Sequence, residues 1–149
     1  MSSKALIDAF LAEPALAVVG VSRSGKGFGN VAARELRRKG YRVYPVNPQA
    51  DVVDGERCYR SLAALPEPVG GVLVVVPPEQ GIDVVRQAAA AGIRRVWLQQ
   101  GAESPRLKHV CAELGLETVA GECVLMFASP TGVHKAHQWV WRMIGKIPA

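Results

Sequence analysis

"LAVVGVSRSGKGFGNVAARELRRKG" runs from residue 16 to residue 40, and its reading decides the fold. It opens on a short β-branched run that meets glycine and serine near Gly20. It closes on a helical pattern over residues 30 to 40, with Gly40 as the stop. A glycine-rich turn joins the two. Inside that turn "GVSRSGKG", residues 20 to 27, satisfies the phosphate-loop pattern G-x-x-x-x-G-K-[ST] up to its last position, where Gly27 replaces the hydroxyl. A strand, a glycine turn and a helix in this order aim backbone N–H groups and a helix N-terminus at one spot. Such a spot suits an anion.

The same alternation repeats outward from this unit. "RVYPV" (42 to 46) reads as a second strand, and its Pro45 marks a strand end or an edge. "GVLVVV" (71 to 76) is a third, apolar on both faces. Residues 78 to 92 read as a helix that opens on Pro78 and stops at Gly92. "RRVWLQ" (94 to 99) is a fourth strand, Ser104-Pro105 caps a helix running to Leu114, and "LETVA" (116 to 120) is a fifth strand. Near-continuous apolar strands are those of a buried parallel sheet. The order predicts an α/β fold, a doubly wound parallel sheet of about five strands with helices on both faces. A short leading helix is expected over residues 4 to 12. A trailing amphipathic helix is expected over 133 to 145, with Val133, Ala136, Val140, Met143 and Ile144 near one face and Trp139 widening it. The predicted organisation is a single domain over residues 1 to 132 and a helical tail over 133 to 149. The tail is expected to pack on the domain or at an oligomer interface.

At 149 residues the chain has the length of one domain, and 49% hydrophobic against 21% charged residues is a globular balance. No apolar run is long enough to span a bilayer, and the first residues lack the apolar centre of a signal peptide. Cys58, Cys111 and Cys123 are odd in number and form no CxxC, so they read as reduced thiols of a cytoplasmic protein. The net charge is +5, of which the tail holds three through Lys135, Arg142 and Lys146. The remainder is too weak and scattered for a nucleic-acid footprint, and suits a small polyanion.

Three ligand classes compete for the glycine turn. Nucleotide hydrolysis requires a hydroxyl after the lysine to hold Mg²⁺ and a carboxylate closing a later strand. Gly27 and Pro77-Pro78 supply neither. Dinucleotide binding asks for G-x-G-x-x-G and an acid at the end of the second strand. Ser22 replaces the second glycine and Asn47 stands in place of the acid. Asp51 lies further into the loop. Coenzyme A needs neither Mg²⁺ nor that acid, and its 3′-phosphate would be repelled by one. Ser22 and Ser24 offer hydroxyls to such a ligand, and Arg23 and Lys26 offer charge.

"VVGVSRSGKGFGN", "GYRVYPVNP", "VVVPPE", "VWLQQG" and "GECVLM" occur in the order and spacing of stand-alone coenzyme A-binding proteins. These are similar to the N-terminal domain of the succinyl-CoA synthetase α subunit. The resemblance covers roughly residues 5 to 127 and implies a Rossmann-like CoA-binding domain. It implies phosphate contacts at Val21, Ser22, Arg23 and Ser24, within the turn of Gly20, Gly25 and Lys26. It places Asn47 and Pro48 where the family has a basic residue. It puts Val76 and Pro77, then Leu98, Gln99 and Gln100, beside the nucleotide, with Gln100 neutral where the synthetase has an acid. Its cysteine after the fifth strand matches Cys123, which reads as a small buried residue ahead of a redox thiol, since a buried thiol is usually inert.

The synthetase's phosphohistidine belongs to a further domain, so His109, His134 and His137 inherit no role from it. No catalytic constellation and no metal site is expected; His134 and His137, three apart, read as a solvated helix face. The expected function is non-catalytic binding of coenzyme A or acyl-CoA, with a homo-oligomer or an acyl-CoA enzyme as possible partner. Two alternatives stay open: an NAD(P)-binding Rossmann domain, and a membrane-peripheral or docking module built on the basic tail.

Overall fold

The computed structural model describes residues 3–128. The predicted tail over 133 to 149, with His134 and His137, lies outside the described residues. Chain order gives α1 (Lys4–Leu11), β1 (Ala15–Val19), α2 (Phe28–Arg38), β2 (Arg42–Val46), β3 (Val52–Val53), β4 (Glu56–Arg57), β5 (Gly71–Val74), α3 (Pro78–Ala90), β6 (Arg95–Gln99), α4 (Pro105–Glu113) and β7 (Glu117–Glu122). A 3₁₀ turn at Val124–Met126 follows β7.

Five strands form one sheet in the order β2-β1-β5-β6-β7, and every pairing in it is parallel. The chain is therefore a doubly wound, Rossmann-like α/β domain. β1 sends its crossover to β2 on one side, and the later strands build outward on the other. The crevice between the carboxyl ends of β1 and β5 is the switch point of such a sheet.

Alternation of side chains along each strand splits the core into two layers. Leu16, Val18, Leu73, Trp97 and Val119 point to one face, where Phe10 of α1 and Leu36 of α2 cover them. Ala17, Val72, Val74, Val96 and Leu98 point to the other, under Val85 of α3 and Leu107 of α4. Trp97 is wholly buried; its ring meets Phe10 edge-on at 5.3 Å and its Nε1–H donates to the Glu122 carbonyl at 2.9 Å. A buried indole needs such a partner for its one donor.

Several boundaries differ from the sequence reading. α2 begins at Phe28 rather than at residue 30, with Gly27 as its N-cap. Asn30 is thus inside the helix. β5 stops at Val74, where the chain turns toward Pro78 at the start of α3. β7 runs on to Glu122 through a register shift opposite Leu98 and Gln99. The cap at Ser104 is as expected: its side chain accepts the Leu107 N–H at 3.1 Å. Pro45 lies on an edge strand, as its missing N–H requires. The small antiparallel pair β3–β4 had no counterpart in the sequence reading, although Asp54-Gly55 between "VV" and "ER" is a two-residue hairpin signal.

Candidate functional site

The glycine turn is a built structure. Gly20 leaves β1 with φ of 123°, and a Cβ there would stand 2.5 Å from the Val75 carbonyl oxygen. Only glycine lets β1 and the segment after β5 run this close. Gly29, in the first turn of α2, likewise brings the helix against the Gly20 carbonyl: its Cβ would lie 2.5 Å from that oxygen.

Asn30 holds the turn from inside. It is completely buried, its Oδ1 accepts the Ser22 N–H at 2.8 Å, and its Nδ2 donates to the Ser22 carbonyl at 3.0 Å. The same Nδ2 donates to Asp54 Oδ2 at 3.1 Å, and Arg34 of α2 donates to that oxygen at 2.9 Å. The β3–β4 hairpin tip therefore clasps the back of the turn. Ser22 Oγ lies 2.9 Å from Ser24 Oγ and donates to the Lys26 carbonyl.

This arrangement redistributes the expected donors. The Ser22 N–H is consumed by Asn30. The Arg23 and Ser24 N–H groups make no hydrogen bond among the described residues, and the first turn of α2 leaves its own N–H groups free by helix geometry. The Arg23 and Lys26 side chains are exposed and unpaired among the described residues. These groups together leave a corner of unpaired donors and positive charge, an arrangement that suits an anion.

A cleft of about 530 Å³ opens at the switch point. It is lined by Val19, Gly20, Val21, Ser22 and Arg23 from the turn, Val46, Asn47, Pro48 and Gln49 from the end of β2, and Val75, Val76, Pro77 and Gln80 beyond β5. Eight of the expected contact residues meet there. Ser24, Gly25 and Lys26 lie in the same turn but do not line the cleft. Leu98 is wholly buried in the core layer under α3 and α4. Gln99 is 3% exposed and accepts the Val124 N–H at 3.1 Å. Gln99 Nε2 and Gln100 Oε1 are buried with no hydrogen-bond partner among the described residues.

The sequence reading missed Gln49 and Gln80 as lining residues, and Asn30, Arg34 and Asp54 as supports. A polar residue at position 30, on the face that Val31, Ala33 and Leu36 bury, was the available signal. Asn47 proves to be a brace: its Nδ2 donates to the Val21 carbonyl at 2.9 Å and its Oδ1 accepts the Gln49 N–H at 2.8 Å. Burial pushes the Cys123 thiol above its ordinary value, which leaves little reactive thiolate. His109 is exposed and lies 3.7 Å from Glu113 on α4. Among the described residues no cluster of three potential ligands could hold a metal ion, and no helix is long and apolar enough to cross a membrane.

The family model described as "CoA binding domain" matches residues 15–129. The chain belongs to the CoA-binding domain family. The α subunit of the ADP-forming acetate–CoA ligase II of Pyrococcus furiosus is 25% identical over 130 residues, which is 80% of this chain and 28% of the relative. The chain thus spans less than a third of that ligase subunit. Among solved structures, a conserved hypothetical protein of Pyrococcus furiosus is 38% identical, with a TM-score of 0.69 over 73% of this chain and 94% of its own. A Thermus thermophilus protein is 31% identical, with a TM-score of 0.74 over 90% of this chain and 98% of its own.

Proposed function

We propose that the chain binds coenzyme A or an acyl-CoA in the switch-point cleft, through the glycine-rich turn, without catalysis of its own. The observation that carries this is the lining of the cleft. It holds one cation, Arg23, and no carboxylate. No lining residue is an acid that would hold a ribose diol or repel an extra phosphate. No nucleophile–base pair lines the cleft either. Membership of the CoA-binding family supports the ligand. The domain's relatives among larger CoA ligases support service to an acyl-CoA enzyme. A cytoplasmic setting goes with this reading, since Cys58, Cys111 and Cys123 are free and buried.

Thermal melts with CoA, NAD, NADP and ATP test it. CoA at about 100 times its dissociation constant should add roughly 2.7 kcal/mol of stability. A melt raised by NAD and unmoved by CoA would refute the proposal. Arg23→Ala should weaken CoA more than Lys26→Ala, because Arg23 lines the cleft and Lys26 does not. A charge-assisted hydrogen bond is worth roughly 1.5–3 kcal/mol, so titration calorimetry should show at least a tenfold loss for Arg23→Ala.

A further inference from the structure

The end of the second strand is where a doubly wound fold reads the ribose of a nucleotide. An acid there holds a free diol, and an arginine accommodates a phosphate on the ring. In this chain Asn47 stands at that place, a neutral amide that braces Val21 and Gln49 and brings no charge to a phosphate. The charged group is brought in from elsewhere. After β4 the chain returns along the outer side of β2: the Tyr59 N–H donates to the Pro45 carbonyl at 2.9 Å and the Tyr59 carbonyl accepts the Asn47 N–H at 2.9 Å. This sets Arg60 against the rim of the cleft, where its NH1 donates to the Pro48 carbonyl at 3.1 Å.

Arg60 also meets Asp51, through Nε at 2.9 Å and NH2 at 3.3 Å. Neighbouring Arg57 is engaged over the Tyr59 ring, 5.3 Å from its centroid. A guanidinium has five N–H donors in a rigid fork. The contacts to Pro48 and Asp51 use three, and the side chain is 57% exposed. Asp51 is more exposed still, at 77%. The pair is bidentate but open to water on both sides, so the fork can exchange acceptors, and a dianionic phosphate monoester is the stronger bidentate acceptor for it.

We infer that Arg60 reads a phosphate monoester on the ribose of the bound nucleotide, and that Asp51 is the anion it exchanges for that phosphate. The inference rests on the CoA-binding reading above. Arg60 then determines the preference for CoA over dephospho-CoA, from a place in the chain well past the strand end.

Titration calorimetry of the full chain with CoA and with dephospho-CoA decides it. The wild type should prefer CoA by roughly tenfold or more, and less so at high salt. Arg60→Ala should bring CoA down to the affinity of dephospho-CoA and leave dephospho-CoA unchanged. Arg60→Lys should keep part of the preference, since it keeps the charge and loses the fork. Asp51→Asn should move the other way and tighten CoA, a gain that damage to the fold cannot mimic. Arg60→Ala that weakens both ligands alike, or neither, overturns the inference and leaves CoA binding standing. A wild type that binds neither ligand removes the CoA reading and this assignment with it. NAD binding that is lost in Asp51→Asn would put Asp51 on a ribose diol and overturn the assignment as well.

Discussion

Asn30→Leu should cost about 3 kcal/mol of stability and abolish tight CoA binding. The leucine fits a buried helix face, so the loss is not one of volume. It leaves the N–H and carbonyl of Ser22 without partners in a part-buried turn, at roughly 1–3 kcal/mol for each unmade bond. It also takes one of the two donors from Asp54. Asn30→Asp keeps the acceptor for the Ser22 N–H but faces the Ser22 carbonyl and the Asp54 carboxylate with negative charge. It should be nearly as damaging at neutral pH and less so in acid. Denaturant melts measure the stability and calorimetry the affinity. An Asn30→Leu protein that binds CoA like the wild type would show that the turn keeps its shape without the brace.

Gly20→Ala should be of similar size, about 3 kcal/mol or more. The position combines a left-handed φ, which costs of order 1–3 kcal/mol for a residue with a Cβ, with a 2.5 Å approach to the Val75 carbonyl oxygen. Neither strand can yield, since β1 is held between β2 and β5, and β5 is central and buried along its whole length. Gly55→Ala is the control. Its φ of 74° is also left-handed, but a Cβ there meets nothing within 4 Å. It should lose only about 1 kcal/mol, the usual cost of a side chain in that conformation. Equal losses at the two positions in denaturant melts would mean that backbone conformation, and not the close approach, sets the cost at Gly20.

The five-strand order and the helices between were legible because buried parallel strands are apolar throughout and each helix carries its own stop or cap. The turn at residues 20 to 27 was legible because glycines at strand ends have few other uses. What stayed hidden depends on distance along the chain. Asn47 looked like a ligand residue by position, yet its amide braces the turn after β1. Asp54 and Arg60 belong to a stretch with no strong periodicity, and only the path of the hairpin brings them to the turn and to the strand end. Leu98 matched a pattern, but the side-chain alternation of β6 sends it into the core.

The all-parallel sheet has a kinetic consequence. Ala15 pairs with Arg42 and Leu16 with Gly71, and each further strand pairs across an intervening helix. No pairing in the main sheet is local. Loop closure must be completed before any of these ladders gains a bond, which places such a chain among the slower small folders. The β3–β4 hairpin is local, but with two residues in each strand it is too short to stand alone before the sheet forms. During that interval the outer side of β2 is open to pairing with another molecule. Pro45, which offers no N–H, and the strap at Tyr59, which later covers the same edge, limit that hazard. Stopped-flow refolding should therefore be slow, with aggregation rising with concentration; submillisecond refolding without it would contradict this account.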